Sequence, residues 1–116
     1  MWSPDGSRIA FQSDRDGGVA NLYQKLASGA GAEETLLVSP NGKAPTSWSR
    51  DGRYLAYQQS DPATTTDIWV LPMLGGHGPY VFLHTPFVEG QARFSPDGNW
   101  IAYTSDESGR FEVYIQ

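Results

Sequence analysis

The two histidines are the first residues of this sequence to consider for chemistry, because an imidazole ring can bind a metal or transfer a proton. His77 lies in the glycine-rich segment GGHGP, and His84 lies seven residues later in a predicted strand. A metal site would need further histidines or acidic residues clustered with them, and none accompanies them in the sequence. We therefore predict no metal site and no cofactor, with His77 in a loop and His84 at a strand edge.

Sequence motifs of catalysis are also missing. There is no Gly-x-Ser-x-Gly nucleophile motif, and the glycine-rich segments lack the lysine and strand–helix context of a phosphate-binding loop. DRDGG (14–18) has too few acidic positions for a calcium loop. No cysteine is present, which excludes thiolate chemistry. These absences predict that the chain is not an enzyme.

Four arginines are the candidates for binding a protein or peptide, since arginine is enriched in the hot spots of interfaces. They are Arg15, Arg50, Arg93 and Arg110. The alternative for each is a solvated turn residue without a ligand. The irregular segments 27–34, 59–66 and 74–79 are the expected contact regions around them.

The charge of the chain argues against two classes of partner. The net charge is −5, only two residues are lysine, and no basic cluster occurs. Such a chain is a poor match for nucleic acid or an anionic membrane. No apolar run approaches the roughly 20 residues that span a bilayer. We expect neither nucleic acid nor membrane as a partner.

Three aspartates recur at a fixed interval and indicate a repeated element of the fold. Asp5, Asp51 and Asp97 are 46 residues apart, in the phrases WSPDG, WSRDG and FSPDG. Asp can bond the backbone beyond it and Gly accepts a positive φ, so each phrase predicts a tight turn. Equivalent positions in every copy indicate a requirement of the fold rather than an acid–base pair.

The similarity extends well beyond these phrases. WSPDGSRIAFQSD (2–14) matches FSPDGNWIAYTSD (94–106), and the apolar segments NLYQ, DIWV and EVYI follow the three copies. Residues 1–116 thus form a single segment with repeats 2–47, 48–93 and 94–116, the last truncated. In the middle copy the apolar runs TSW (46–48), YLAYQ (54–58), DIWVL (67–71) and YVFLH (80–84) are short and predict strands.

The triplets IAF, LAY and IAY show consecutive apolar residues where a half-exposed strand would alternate. Each sheet should therefore be covered on both faces by like sheets, as in a β-propeller blade. We predict an all-β partial β-propeller of about ten strands in about three blades, with the outer two incomplete. SDPATTTD (60–67) lacks the glycine of the other copies, which predicts a longer or irregular hairpin.

The pattern [WF]-S-[PR]-D-G-x-x-[IL]-A-[FY]-x-S-D resembles the repeat of the TolB-like β-propeller family, which is WD-repeat-like. The resemblance implies that Trp2, Trp48 and Phe94 pack in the core and that the three repeated aspartates are structural. SDESGRFEVYIQ (105–116) also resembles propellers attached to bacterial serine/threonine kinases. The family resemblance suggests a periplasmic or extracytoplasmic protein, although these residues include no signal peptide.

An arc of three blades cannot close on itself, because propellers have four to eight. We expect a head-to-tail homodimer that forms a six-bladed ring, or closure by the missing part of a longer propeller. The expected function is a non-catalytic scaffold for protein, peptide or ligand binding. The alternatives are an accessory, gating propeller of a hydrolase and a sensor-domain fragment of a receptor kinase.

Overall fold

Strands make up the regular structure of the chain. The structure, a computed structural model, describes residues 1–15, 17–62, 65–74, 76, 78–85 and 87–116. Within these residues there are ten strands and no helix, and hence no helix able to cross a membrane. The strands are β1 (Arg8–Ser13), β2 (Asn21–Leu26), β3 (Glu34–Leu37), β4 (Lys43–Trp48), β5 (Tyr54–Asp61), β6 (Thr65–Pro72), β7 (Tyr80–Leu83), β8 (Glu89–Phe94), β9 (Ile101–Ser105) and β10 (Glu112–Ile115).

The strands form three antiparallel sheets, each in the order of the sequence. The first sheet is β1-β2-β3, the second is β4-β5-β6-β7, and the third is β8-β9-β10. In the first sheet, the place of the initial strand is taken by residues 1–3, which pair with β1 through the bridge between Trp2 and Ile9 and the backbone hydrogen bonds on either side of it. The all-β partial propeller predicted from the sequence, with ten strands and incomplete outer blades, is confirmed. Each repeat begins at the aromatic residue before the Asp-Gly turn, and in the structure Trp48 is the last residue of β4. β4 therefore crosses the boundary between repeats 2–47 and 48–93.

The middle sheet is buried on both faces. On one face Leu55, Tyr57 and Leu71 pack with Ala10 and Leu22 of the first sheet. On the other face a second cluster joins the middle sheet to the third, and its buried members are Ala56, Ile68, Val70, Ala92, Ile101 and Tyr103. The two residues beside Ala56 face the first sheet while Ala56 faces the third, which explains the consecutive apolar residues of LAY.

Several strand limits differ from the prediction. β5 continues as far as Asp61, and β6 begins at Thr65. The hairpin that lacks the glycine therefore has the longest strands among the described residues. β7 ends at Leu83, so His84 lies just beyond it rather than within it. Thr65 has a φ of 80°, which marks the expected irregularity at the hairpin.

The resemblance placed Trp2 in the core, and this is wrong in this chain. Trp2 is 62% exposed because the described residues include no sheet that precedes the first one and could cover it. Trp48 and Phe94 are half-buried and pack against the two hydrophobic clusters, as predicted. They differ from Trp2 because each packs against a cluster shared with the sheet that precedes its own.

Candidate functional site

The repeated aspartates are confirmed as turn residues. Asp51 Oδ1 accepts hydrogen bonds from Ser49 Oγ at 2.7 Å and from the backbone N–H of Arg53 at 3.0 Å. The Ser49 hydroxyl oxygen in turn accepts from the Tyr54 N–H at 2.9 Å, and the Gly52 N–H donates to the Ser49 carbonyl. These bonds favour the charged carboxylate, and the hydrogen bond from Ser49 is the main cause of the lowered pKa of Asp51. Asp5 and Asp97 repeat the arrangement.

Two of the four candidate arginines are engaged at hairpins of the outer sheets. Arg15 pairs with the Glu33 carboxylate, and its guanidinium carbon lies 4.8 Å from the Tyr23 ring centroid. Arg110 Nε lies 3.3 Å from Glu112 Oε1. Both therefore have intramolecular partners, and the structure does not bring them together with the other two.

Arg50 and Arg93 line one depression of about 470 Å³ together with Trp2, Trp48 and Phe94. Arg93 Nη1 donates to the Thr46 carbonyl and, at 3.2 Å, to the carbonyl of Ala92. Arg50 is exposed and makes no hydrogen bond or ion pair with another described residue. Of the four arginines, Arg50 is the one whose guanidinium is not engaged by the described residues.

Arg50 also borders a larger groove between the first two sheets, about 730 Å³ in volume. The groove has both polar and apolar walls, formed among others by Asp5, Gln24, Trp48, Leu71 and Leu74. It lies on the surface that carries the Asp-Gly turns, because residues of the first two turns line it. The turn that follows β4 therefore holds Arg50 and Trp48 at the border of two concave surfaces.

A second constellation lies at the junction of the second and third sheets. His84 Nδ1 is 2.7 Å from Asp67 Oδ2, and both side chains approach Asp61. The sequence predicts no acidic cluster near the histidines, and for His84 this prediction is wrong. Asp61 lies at the end of β5, Asp67 lies in β6, and His84 follows β7. His84 is therefore distant in sequence from the two aspartates. His77 lies outside the described residues.

Glu89, at the start of β8, belongs to the same junction and is 1% exposed. Its Oε1 accepts a hydrogen bond from the Thr85 hydroxyl. Burial, followed by the negative charge of Asp67, raises the pKa of Glu89 to about 7. The hydrogen bond and negative charge of Asp67 raise the pKa of His84. The 46-residue interval is the sequence signal that could have located these residues, because it aligns Asp67 and Glu89 with Asn21 and Lys43.

The fold of the chain is similar to that of several solved structures. No protein-family model matches the sequence, and no curated protein matches it either. A structure described as TolB from Agrobacterium tumefaciens superposes with a TM-score of 0.85 at 23% identity, over 98% of this chain and 40% of that chain. TolB from Acinetobacter baumannii gives a TM-score of 0.77 at 24% identity, over 98% of this chain and 28% of that chain.

A third solved structure is the AtxE2 isopeptidase. It gives a TM-score of 0.69 at 20% identity, over 90% of this chain and 19% of that chain. The chain thus spans two fifths or less of the length of each of these three structures. Its three sheets superpose on part of a larger molecule in every case. The chain has the fold of part of a TolB-like β-propeller.

Proposed function

We propose that the chain is a non-catalytic propeller scaffold that binds a protein or peptide on the surface bearing the Asp-Gly turns. The observation that supports this most directly is the position of Arg50. Its guanidinium is not engaged by another described residue, and it borders both the groove and the depression. Trp48 is shared by the same two surfaces, and exposed Trp2 lines the depression. Arginine and tryptophan are the residue types most enriched in binding hot spots.

The chemistry of this surface suits an extended peptide with an acidic residue flanked by apolar ones. The Arg50 guanidinium would pair with the carboxylate, because a planar guanidinium binds carboxylates in a bidentate way. The indole rings of Trp2 and Trp48 would contact the apolar side chains. Asp5 and Asp51 would not compete for Arg50, since each carboxylate is held within its own turn.

A random dodecapeptide library displayed on phage tests the proposal without knowledge of the natural ligand. Peptides selected on the 116-residue chain are synthesised, and their affinities are measured by fluorescence polarisation. We expect Arg50→Ala to weaken binding at least tenfold, which corresponds to about 1.4 kcal/mol. Arg53→Ala is the matched control, because Arg53 is an exposed arginine of the same turn that does not line the groove. Failure to enrich any peptide, or an equal loss with both variants, would contradict the proposal.

A second candidate function is that of an accessory propeller of a hydrolase. The superposition on part of the AtxE2 isopeptidase supports it, although likeness of fold alone does not carry an activity. This candidate predicts a hydrolase domain in the natural polypeptide that contains these residues. A complete open reading frame without such a domain would exclude it and leave the binding scaffold.

The likeness to TolB proteins also supports an extracytoplasmic location for the natural protein. Fractionation of cells that produce the natural polypeptide tests this expectation. Recovery in the periplasmic or secreted fraction is the expected result. Recovery with the soluble cytoplasmic marker would contradict it.

A further inference from the structure

A buried lysine fills the junction between the first and second sheets. Lys43 is 2% exposed, and its Nζ donates to Asn21 Oδ1 at 2.8 Å and to the Ser39 carbonyl at 3.1 Å. The carbonyl of Asn41 accepts a further hydrogen bond from it. An ammonium group is therefore held among oxygen atoms at the edge where the two sheets meet. This junction contains its own cation.

The repeat changes the charge of the equivalent junction between the second and third sheets. At an interval of 46 residues, Asp67 stands where Asn21 stands and Glu89 where Lys43 stands. A neutral amide and an ammonium are thus replaced by two carboxyl groups, each 1% exposed. Of the described charged side chains that act on Glu89, only His84 is basic; the others are Asp67, Asp106 and Glu107. A buried carboxylate is costly unless a nearby cation or hydrogen bonds compensate its charge.

The side chains at this junction have the arrangement of a metal site. One ligand atom each from Asp61, Asp67 and His84 lies within 4.8 Å of the other two. A tetrahedral zinc with bonds of about 2.0–2.1 Å keeps its ligand atoms roughly 3.3 Å apart. The metal would replace the proton shared by His84 and Asp67, whose atoms would separate from 2.7 Å, while Asp61 would move closer to them. The His84 side chain is 52% exposed and can make this adjustment without disturbing the core.

Glu89 is an independent indication of a cation at the same place. Its Oε2 is buried and has no hydrogen-bond partner among the described residues. Glu89 pairs with Ser105 across the third sheet, and directly opposed residues point to the same face. That face carries Ile101 and Tyr103, which pack against the second sheet. The Glu89 side chain therefore lies on the face of the third sheet that packs against the second sheet.

We propose that the junction of the second and third sheets binds a divalent transition-metal ion through Asp61, Asp67 and His84, with the Glu89 carboxylate beside this group to balance the charge of the ion. The ion occupies the place that the Lys43 ammonium occupies in the preceding junction, and it joins the two sheets across their edge. Zn²⁺ is the ion that fits this donor set best, since it accepts both imidazole nitrogen and carboxylate oxygen. Ca²⁺ fits less well because it takes oxygen ligands only.

The first test titrates Zn²⁺ into the metal-free 116-residue chain by isothermal titration calorimetry, with the melting temperature measured in parallel. We expect one Zn²⁺ per chain, a higher melting temperature with the metal, and tighter binding of Zn²⁺ than of Ca²⁺. His84→Ala should weaken Zn²⁺ binding at least tenfold. His77→Ala, which removes the other histidine of the chain, should leave it unchanged.

The second test uses the repeat itself. Glu89→Lys supplies an ammonium group at the position where the preceding junction has one, so it should abolish Zn²⁺ binding while leaving the metal-free melting temperature unchanged or higher. If this variant does not fold, His84→Ala and Asp61→Asn decide the question, because neither position is buried. The proposal is overturned by absence of saturable Zn²⁺ binding, by stoichiometric binding that persists in His84→Ala, or by a preference for Ca²⁺.

Discussion

The lowered pKa values of the turn aspartates imply that the free energy of unfolding decreases at acid pH. Asp5 Oδ1 accepts hydrogen bonds from the hydroxyls of Ser3 and Ser7 and from the Ser7 N–H, and these bonds lower its pKa to about 2. A carboxyl group with a lowered pKa in the folded state stabilises the fold above its unfolded pKa. That stabilisation is lost as the pH falls from about 4 to about 2. Asp51 and Asp97, whose pKa values are also lowered, act in the same direction.

We predict that the free energy of unfolding, measured by urea denaturation, decreases steadily between pH 4 and pH 2. Asp5→Asn should be less stable than the unaltered chain at pH 7 and should lose less stability over this acid range, because one titrating group has been removed. Asp14→Asn is the control, since Asp14 is an exposed aspartate outside the turn motif. A pH dependence in Asp5→Asn equal to that of the unaltered chain would contradict the prediction.

Residue roles could be predicted where the partners are close in sequence. The turn aspartates were found because their donors are the serine two residues before and the N–H two residues after. The pair Asp67–His84 was missed because its members are 17 residues apart and come together only through strand pairing. The exposure of Trp2 was missed because burial at this position depends on a preceding sheet rather than on the motif.

The turn between β4 and β5 depends on the backbone conformation of Gly52. Gly52 has a φ of 78°, a left-handed conformation that costs other residues roughly 1–2 kcal/mol. A Cβ at this position would meet no atom within 4 Å, so the cost of Gly52→Ala is backbone strain without steric clash. We therefore expect Gly52→Ala to lower the free energy of unfolding by about 1–2 kcal/mol.

Gly42→Ala is the matched control for this element. Gly42 is not among the positive-φ glycines, and its Cβ would lie at an ordinary 3.7 Å from Ser60 Oγ. The free energy of unfolding of Gly42→Ala should be unchanged or slightly higher, because alanine has less conformational freedom than glycine in the unfolded chain. Equal losses in both variants, measured by urea denaturation, would show that the turn conformation is not the cause.

At the level of elements, the period and the turn phrases were sufficient to predict ten strands and their grouping into sheets. The extension of β5 and β6 was not predicted, because the extra pairs Ser60–Thr66 and Asp61–Thr65 involve polar residues without apolar alternation. These pairs follow from the register in which β5 pairs with β6. The hydrophobic pattern of the sequence does not contain that register at polar positions.

Across the whole molecule, equivalent positions differ in burial according to whether a further sheet covers them. Ala56 pairs with Val70 in the second sheet, and Ala102 pairs with Ile115 in the third. Val70 is 2% exposed beneath the third sheet, whereas Ile115 is 69% exposed. Ile115 lines an apolar depression of about 410 Å³ with Phe94 and Trp100. This outer face therefore has the residues of a blade interface without a described partner.

The opposite end of the arc presents the complementary surface. The stacked pair Tyr57–Trp69 faces the first sheet, and the pair Tyr103–Tyr114 faces the second. In the corresponding pair of the first sheet, Phe11–Tyr23, Arg15 lies over both rings and Tyr23 is 4% exposed, and no sheet precedes this pair among the described residues. A second copy of the chain, placed head to tail, would bring its third sheet onto this pair. Two such contacts would cover roughly 1,400 Å², within the usual range for a specific interface.

We predict that the 116-residue chain is a homodimer with about twice the 12.7 kDa chain mass in sedimentation velocity at micromolar concentration. Ile115→Glu should give a monomer, because a carboxylate in the apolar contact would be buried without a partner. Leu74→Glu is the control, since Leu74 is 65% exposed but lies away from both outer faces, in the groove between the first two sheets. A monomeric unaltered chain would contradict closure by a second copy and favour closure by further blades of the same polypeptide, which would cover Ile115 and the Phe11–Tyr23 pair equally well.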